Sequence, residues 1–167
     1  MTIKNLAKKI GITEPAIYRH FDSKIHILIT ILDLFKKNNE LIFSNELNTK
    51  NAIDKIEYLF SKHFTTFSMK PSLVSVIFSE EIFRNEPILI EKISEIIKNN
   101  DKILTRIIMN GQKNKELRSD IEAEYLATIL MGSVRLCVKK WQLSGYSYSL
   151  IDEGKHLLKS IKLLIKK

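Results

Sequence analysis

Apolar residues return at helical spacing along almost the whole chain, and strand-like alternation never lasts beyond a few residues. Ile25, Leu28, Ile29, Leu32 and Phe35 share one face of a helix, as the 3.6-residue period requires. A half-buried strand needs the opposite pattern, with every second residue apolar. Backbone breakers are scarce: five Gly and three Pro in 167 residues leave room for long helices with short connections. The chain is read as all-α.

Helix boundaries follow from caps and stops. Ile3, Leu6, Ala7 and Ile10 form a short apolar face behind Thr2, a residue suited to capping, and Gly11 follows as a stop. Thr13 is a second N-cap, with Pro15 in the first turn and Ile17 and Phe21 on the inner face. A third helix is expected from Ser23 to about Phe43. Others are expected over 51–69, 71–84 and 85–110, the last broken by Gly111. Ser119 with Glu122 resembles a capping box opening a helix to Leu143, and Ser149 caps the final one. The polar stretch "SNELNTK" divides a small module, residues 1–44, from a helical body, residues 45–167.

Composition narrows the function classes. A single cysteine, Cys137, excludes an internal disulfide and a cysteine-based metal site. No charge-free apolar run is long enough to span a bilayer, so a cytoplasmic location is expected. The net charge of +8 suits a polyanionic partner. It is spread out, however: residues 1–24 carry five cations against two acids. Enzyme signatures are missing, with no P-loop, GxGxxG, HExxH or GxSxG. His20, His26, His63 and His156 are scattered, and Glu80 and Glu81 are helix neighbours whose carboxylates diverge. Cys137 sits in an apolar run, a poor setting for a thiolate. The chain is read as a non-enzyme without metal or cofactor.

The stretch "GITEPAIYRHFDSK" gathers Tyr18, Arg19, His20 and Lys24 within two turns. Two short helices joined by a Gly-containing turn make a helix-turn-helix, whose second helix enters the DNA major groove. Ile17 and Phe21 would hold that helix from behind, while Glu14, Ala16, Tyr18 and Arg19 lie on the outward arc. Ala16 is small enough for close approach and contact with a thymine methyl, and Arg19 matches a guanine edge. Tyr18, His20 and Lys24 suit phosphate oxygens. A purely structural helix pair with a solvated polar face satisfies the same pattern.

The segment "TIKNLAKKIGITEPAIYRHFDSKIHIL" closely resembles the helix-turn-helix of the TetR family of transcriptional regulators, with "LAKKIGI", "AIYRHF" and "SK" at the family's spacing. The resemblance implies Lys4, Glu14, Pro15, Ala16, Tyr18 and Arg19 near bases. It places Thr2, Tyr18, His20 and Lys24 near phosphates. Family members carry a further helix before the position of Thr2, and this sequence starts at Met1 without it. Leu6, Ile10, Ile17 and Phe21 are therefore expected to be partly exposed. A helical homodimer that binds a small molecule or protein and no longer binds DNA stands as the alternative.

The resemblance further implies a body that binds a small molecule between its helices and dimerises through its last two. Candidate pocket residues are Phe60, Phe64, Phe67, Phe78, Phe83, Met109, Met131 and Trp141, with His63 and Arg135 as polar orienting groups. An ordinary core uses the same residue types. For the dimer, Leu126, Ile129, Leu130, Ser133, Leu136 and Cys137 form an apolar seam, joined by Leu157, Ile161 and Leu164. An intramolecular core, with lysines solvated on the far side of the last helix, fits the pattern equally. The expected partners are an operator in double-stranded DNA, a small-molecule effector and a second copy of the chain. The basic last helix lacks interfacial Trp or Phe, which argues against a membrane surface.

Overall fold

The computed structural model describes residues 13–44, 51–79 and 86–167. Seven helices lie within them: α1 Glu14–Tyr18, α2 Lys24–Ser44, α3 Ala52–Met69, α4 Pro71–Ile77, α5 Pro87–Lys113, α6 Ala123–Leu143 and α7 Leu150–Ile165. Among the described residues there is no strand, and the only bridge is an isolated one between Leu117 and Lys166. The expected Thr2–Ile10 helix, the Gly11 stop, Lys4 and Phe83 lie outside the described residues.

The caps explain most boundaries. Thr13 Oγ1 accepts the Ala16 N–H at 3.3 Å, Asn51 Oδ1 accepts the Asp54 N–H at 2.9 Å, and Ser149 Oγ accepts the Asp152 N–H at 3.2 Å. Each satisfies one amide that has no partner within its helix. Ser23 Oγ serves α2 in the same way, through the His26 N–H. Pro15, Pro71 and Pro87 occupy first-turn positions, where a missing N–H is harmless.

Three sequence expectations change. The helix opened by Pro71 stops at Ile77 rather than near residue 84, because Phe78 leaves helical geometry at φ −101° and ψ 14°. Ser119 does not cap α6; Glu122 precedes it with no side-chain cap bond. The stretch around Ser119 is held otherwise. The Arg118 N–H donates to the Ile165 carbonyl at 2.9 Å, while its guanidinium pairs with Asp120 at 2.6 Å.

Gly111 does not break α5, which runs through it to Lys113. A Cβ there would stand 2.5 Å from Ala52 Cβ and 2.8 Å from the Leu117 side chain. Its role is close helix approach, a packing reason that local sequence does not announce. Gly154 serves α7 likewise, lying against the Phe64 ring. Through such contacts α3 packs on α5 and α7, and α5 packs on α2 and α6. Phe60, Phe64, Leu32, Leu104, Ile108 and Leu130 are the fully buried centre of one continuous core.

Candidate functional site

Two places concentrate chemistry: the outer face of α1 and a cavity within the body. In α1, Ile17 is only 4% exposed and packs on Ile27 of α2, with Phe21 and Ile31 beside it. The expectation of a partly exposed Ile17 is thus corrected, since α2 itself covers it. Phe21 is half-buried, edge-on to the His26 ring at 5.6 Å. With Ile17 fixed inward, the helical period turns the neighbouring positions out. Tyr18 is 48% exposed, and Arg19, His20 and Lys24 are exposed as well. Pro15 is exposed, and Glu14 and Ala16 are half-buried at the start of the helix. Seven of the nine sequence-nominated residues therefore lie on one short stretch; Thr2 and Lys4 are outside the described residues.

The cavity has a volume of about 430 Å³ and is walled by five helices. Phe35 comes from α2, His63 and Phe67 from α3, Ile77 from α4, Ile93, Ile96 and Asn100 from α5, and Met131 and Val134 from α6. Phe78 follows α4 directly. Phe35, His63, Phe67 and Phe78 make a chain of ring contacts with centroids 5.8–6.3 Å apart. Arg135 stands at the exposed rim with its guanidinium 4.9 Å from the Phe78 ring centre. Thr128 and Gly132 are also exposed at that rim.

Of the nominated pocket residues, His63, Phe67, Phe78, Met131 and Arg135 meet on this wall. Phe60 and Phe64 sit elsewhere in the solid core, Phe64 against Gly154. Trp141 closes the α6–α7 turn, donating its indole N–H to the Tyr148 carbonyl at 2.8 Å. Met109 is 53% exposed and lies off the cavity. Sequence reasoning missed Phe35, Asn100 and the isoleucines of α5. Asn100 did leave a signal, as a polar residue in the i, i+4 run Ile96, Asn100, Leu104, Ile108.

The polar groups of this region are unusual. His63 is fully buried, and burial pushes its pKa from the ordinary 6.5 down to about 4, so the ring is neutral near pH 7. His63 Nε2 has no hydrogen-bond partner, and neither does Asn39 Oδ1 on α2. The Asn39 amide reaches Asn100 Oδ1 only at 3.5 Å. Each buried polar atom left unpaired costs about 1–3 kcal/mol. Two ion pairs flank the same α2–α5 seam, Asp33–Lys92 and Lys36–Glu95, both at 2.6 Å.

The nominated dimer residues divide by burial. Leu126, Leu130, Cys137 and Ile161 are buried in the chain's own core, where burial pushes the Cys137 thiol pKa up. Ile129 and Leu136 are exposed, Ser133 and Leu157 half-buried, and Leu164 exposed. Tyr125, Ile129, Leu136 and Leu143 make an exposed apolar stripe along α6, with Gly132 in its middle and open space above it. No helix among the described residues is long and apolar enough to cross a membrane, and no group of His, Cys, Asp or Glu there could hold a metal.

A small helix with an outward donor row, seated on a long helix that also walls an apolar cavity, defines a helix-turn-helix regulator with a ligand-binding body. The profile described as "Bacterial regulatory proteins, tetR family" matches residues 1–31, and "YsiA-like protein, C-terminal region" matches residues 32–166. The chain belongs to the TetR family of transcriptional regulators. It is 27% identical over 153 residues to the fatty acid metabolism regulator protein of Bacillus subtilis strain 168, covering 89% of this chain and 77% of that protein. Among solved structures it is similar to FadR from Bacillus subtilis in complex with stearoyl-CoA, with TM-score 0.72 and 22% identity over 96% of this chain and 87% of that one. The ketosteroid regulator KstR2 of Mycobacterium tuberculosis shares the fold, with TM-score 0.83 and 19% identity over 100% of this chain and 85% of that one.

Proposed function

We propose that this chain is a transcriptional repressor that binds a palindromic operator as a homodimer and is released by an acyl ligand. Residues 1–44 form the DNA-reading module, and residues 45–167 the ligand-binding and dimerisation domain. Arg19, with Lys4, Glu14, Pro15 and Ala16, lies near base edges, and Thr2, Tyr18, His20 and Lys24 take phosphates. The dimer forms through the exposed stripe of α6 together with Leu157 and Leu164 of α7. An exposed apolar row of this kind is what a partner surface covers.

The ligand class rests on two supports. The cavity is lined mainly by Ile, Phe, Met and Val, with Arg135 at its rim for an anionic head. The similar Bacillus subtilis proteins are a fatty acid metabolism regulator and a FadR holding stearoyl-CoA. A long-chain acyl thioester fits this arrangement, with its chain inside and its charged portion at the rim.

One observation carries the coupling: Ile27 of α2 seats the DNA-facing helix, while Phe35, two turns along α2, lines the cavity. A ligand that binds better when α2 is tilted lowers operator affinity by its differential affinity for the two states, and by no more. The test is fluorescence anisotropy of the chain on its own upstream intergenic DNA against a scrambled duplex, with and without stearoyl-CoA. Preferential binding that falls with salt and is reversed by stearoyl-CoA is expected. Equal affinity for both duplexes would sink the regulator reading, and an unresponsive complex would sink the ligand.

A further inference from the structure

The cavity wall is mostly apolar, with Thr128 and Arg135 exposed at the rim and Asp101 half-buried, and its two buried polar residues, His63 and Asn100, sit among Phe35, Phe67 and Ile96. An all-hydrocarbon ligand needs neither residue, and an apolar wall would serve it better. We propose that His63 and Asn100 form a recognition site for one uncharged oxygen, a hydroxyl or a carbonyl, on an otherwise apolar ligand. This rests on the reading of the cavity as an acyl site and states what distinguishes the acyl group it takes.

Three features support the site. His63 Nε2 is buried without a partner, although its residue lines the cavity. Asn100 is held only by the long contact from Asn39, so its amide is not committed to a strong internal bond. Charge complementarity argues against a carboxylate there. The ring is neutral near pH 7, Asp101 adds an acidic group to the wall next to Asn100, and the cavity's cation, Arg135, is at the exposed rim. A hydroxyl or carbonyl oxygen suits a neutral imidazole and an amide, whereas a carboxylate would be desolvated without a counter-charge.

The uncharged oxygen has two possible sources: the thioester carbonyl of the acyl group itself, or a hydroxyl or oxo substituent along its chain. Calorimetric titration of the full chain separates them. One arm compares stearate with hydroxy- and oxo-stearates whose substituent is stepped along the chain, and with the matching dicarboxylate. The other compares stearoyl-CoA with its S-alkyl thioether analogue, which lacks only the carbonyl. We expect a preference of roughly tenfold or more for the oxygen-bearing member in one arm, and the dicarboxylate as the weakest binder.

His63→Leu should erase that preference, read as the affinity ratio between members of the same arm, and His63→Gln should restore part of it. Asn100→Ser is a second, milder variant expected to reduce the preference. Equal affinity for all members of both arms would overturn the inference while leaving the acyl site standing, the buried groups then holding a resident water only. A preference that survives His63→Leu would also overturn it. If neither stearate nor stearoyl-CoA binds while operator DNA is still held, the acyl reading falls, and this inference with it.

Discussion

Helix α1 and the cavity place the same kinds of residue in opposite settings. On α1 the polar groups stand in solvent and are hydrated, and in the proposed complex DNA replaces that water. In the cavity wall His63 and Asn100 are buried, and His63 Nε2 has no partner at all. The first arrangement costs the free protein almost nothing and gains affinity from phosphate contacts, so its strength depends on salt. The second costs stability in the empty protein and recovers it when a ligand fills the gap. A surface reader can thus be built from one short segment, whereas a buried receptor needs several helices to enclose it.

The largest effect should come from neither place but from the α6 stripe proposed to join two copies. Leu136→Glu changes a side chain that is 58% exposed, so the protomer should fold normally. Sedimentation should show a monomer, and operator affinity should fall by roughly a hundredfold or more as the two-site advantage is lost. A variant that stays dimeric with full affinity would mean that the stripe is not the interface.

Next comes the sealed histidine. Its folded pKa of about 4 lies below the ordinary 6.5, so the unfolded chain takes up a proton first as pH falls. Stability present above pH 6.5 should therefore drain away between 6.5 and about 4, by about 3 kcal/mol in full. Denaturant titrations across that window check it, and His63→Leu should flatten the curve.

Arg19→Ala should cost about 1–3 kcal/mol on operator DNA and relax base preference, measured by anisotropy on single-base operator variants. Lys24→Ala should act more weakly and uniformly on all sequences, reducing the salt slope by about one unit. If the two variants lose affinity equally on operator and random duplexes, the division between base and phosphate roles fails.

The same contrast explains what was legible in the sequence. The local geometry of α1 was, because Thr13, Pro15, Ile17 and Arg19 lie within a few positions of one another, and local physics sets their directions. The helical class was legible for the same reason, since period and caps are local. The cavity was only half legible. His63, Phe67, Phe78, Met131 and Arg135 were visible as residue types, but which phenylalanines pack solid and which border space depends on helix crossings. Gly111 looked like a stop because its true partner, Ala52, belongs to another helix. Asn39 and Asn100 each interrupt an apolar run, and such interruptions are the trace that a buried polar site leaves in a sequence.

The seam between α2 and α5 has one more consequence. The helices run in the same direction, with Asp33 on Lys92 and Lys36 on Glu95, one turn apart. Sliding α2 one turn forward would set Asp33 against Glu95 and Lys36 against Lys98. Sliding it one turn back would set Lys36 against Lys92. The alternating charges work like the teeth of a detent, opposing translation in both directions while leaving rotation about the seam free. In the proposed switch, a signal from the cavity therefore reaches α1 as a change of angle, not of reach.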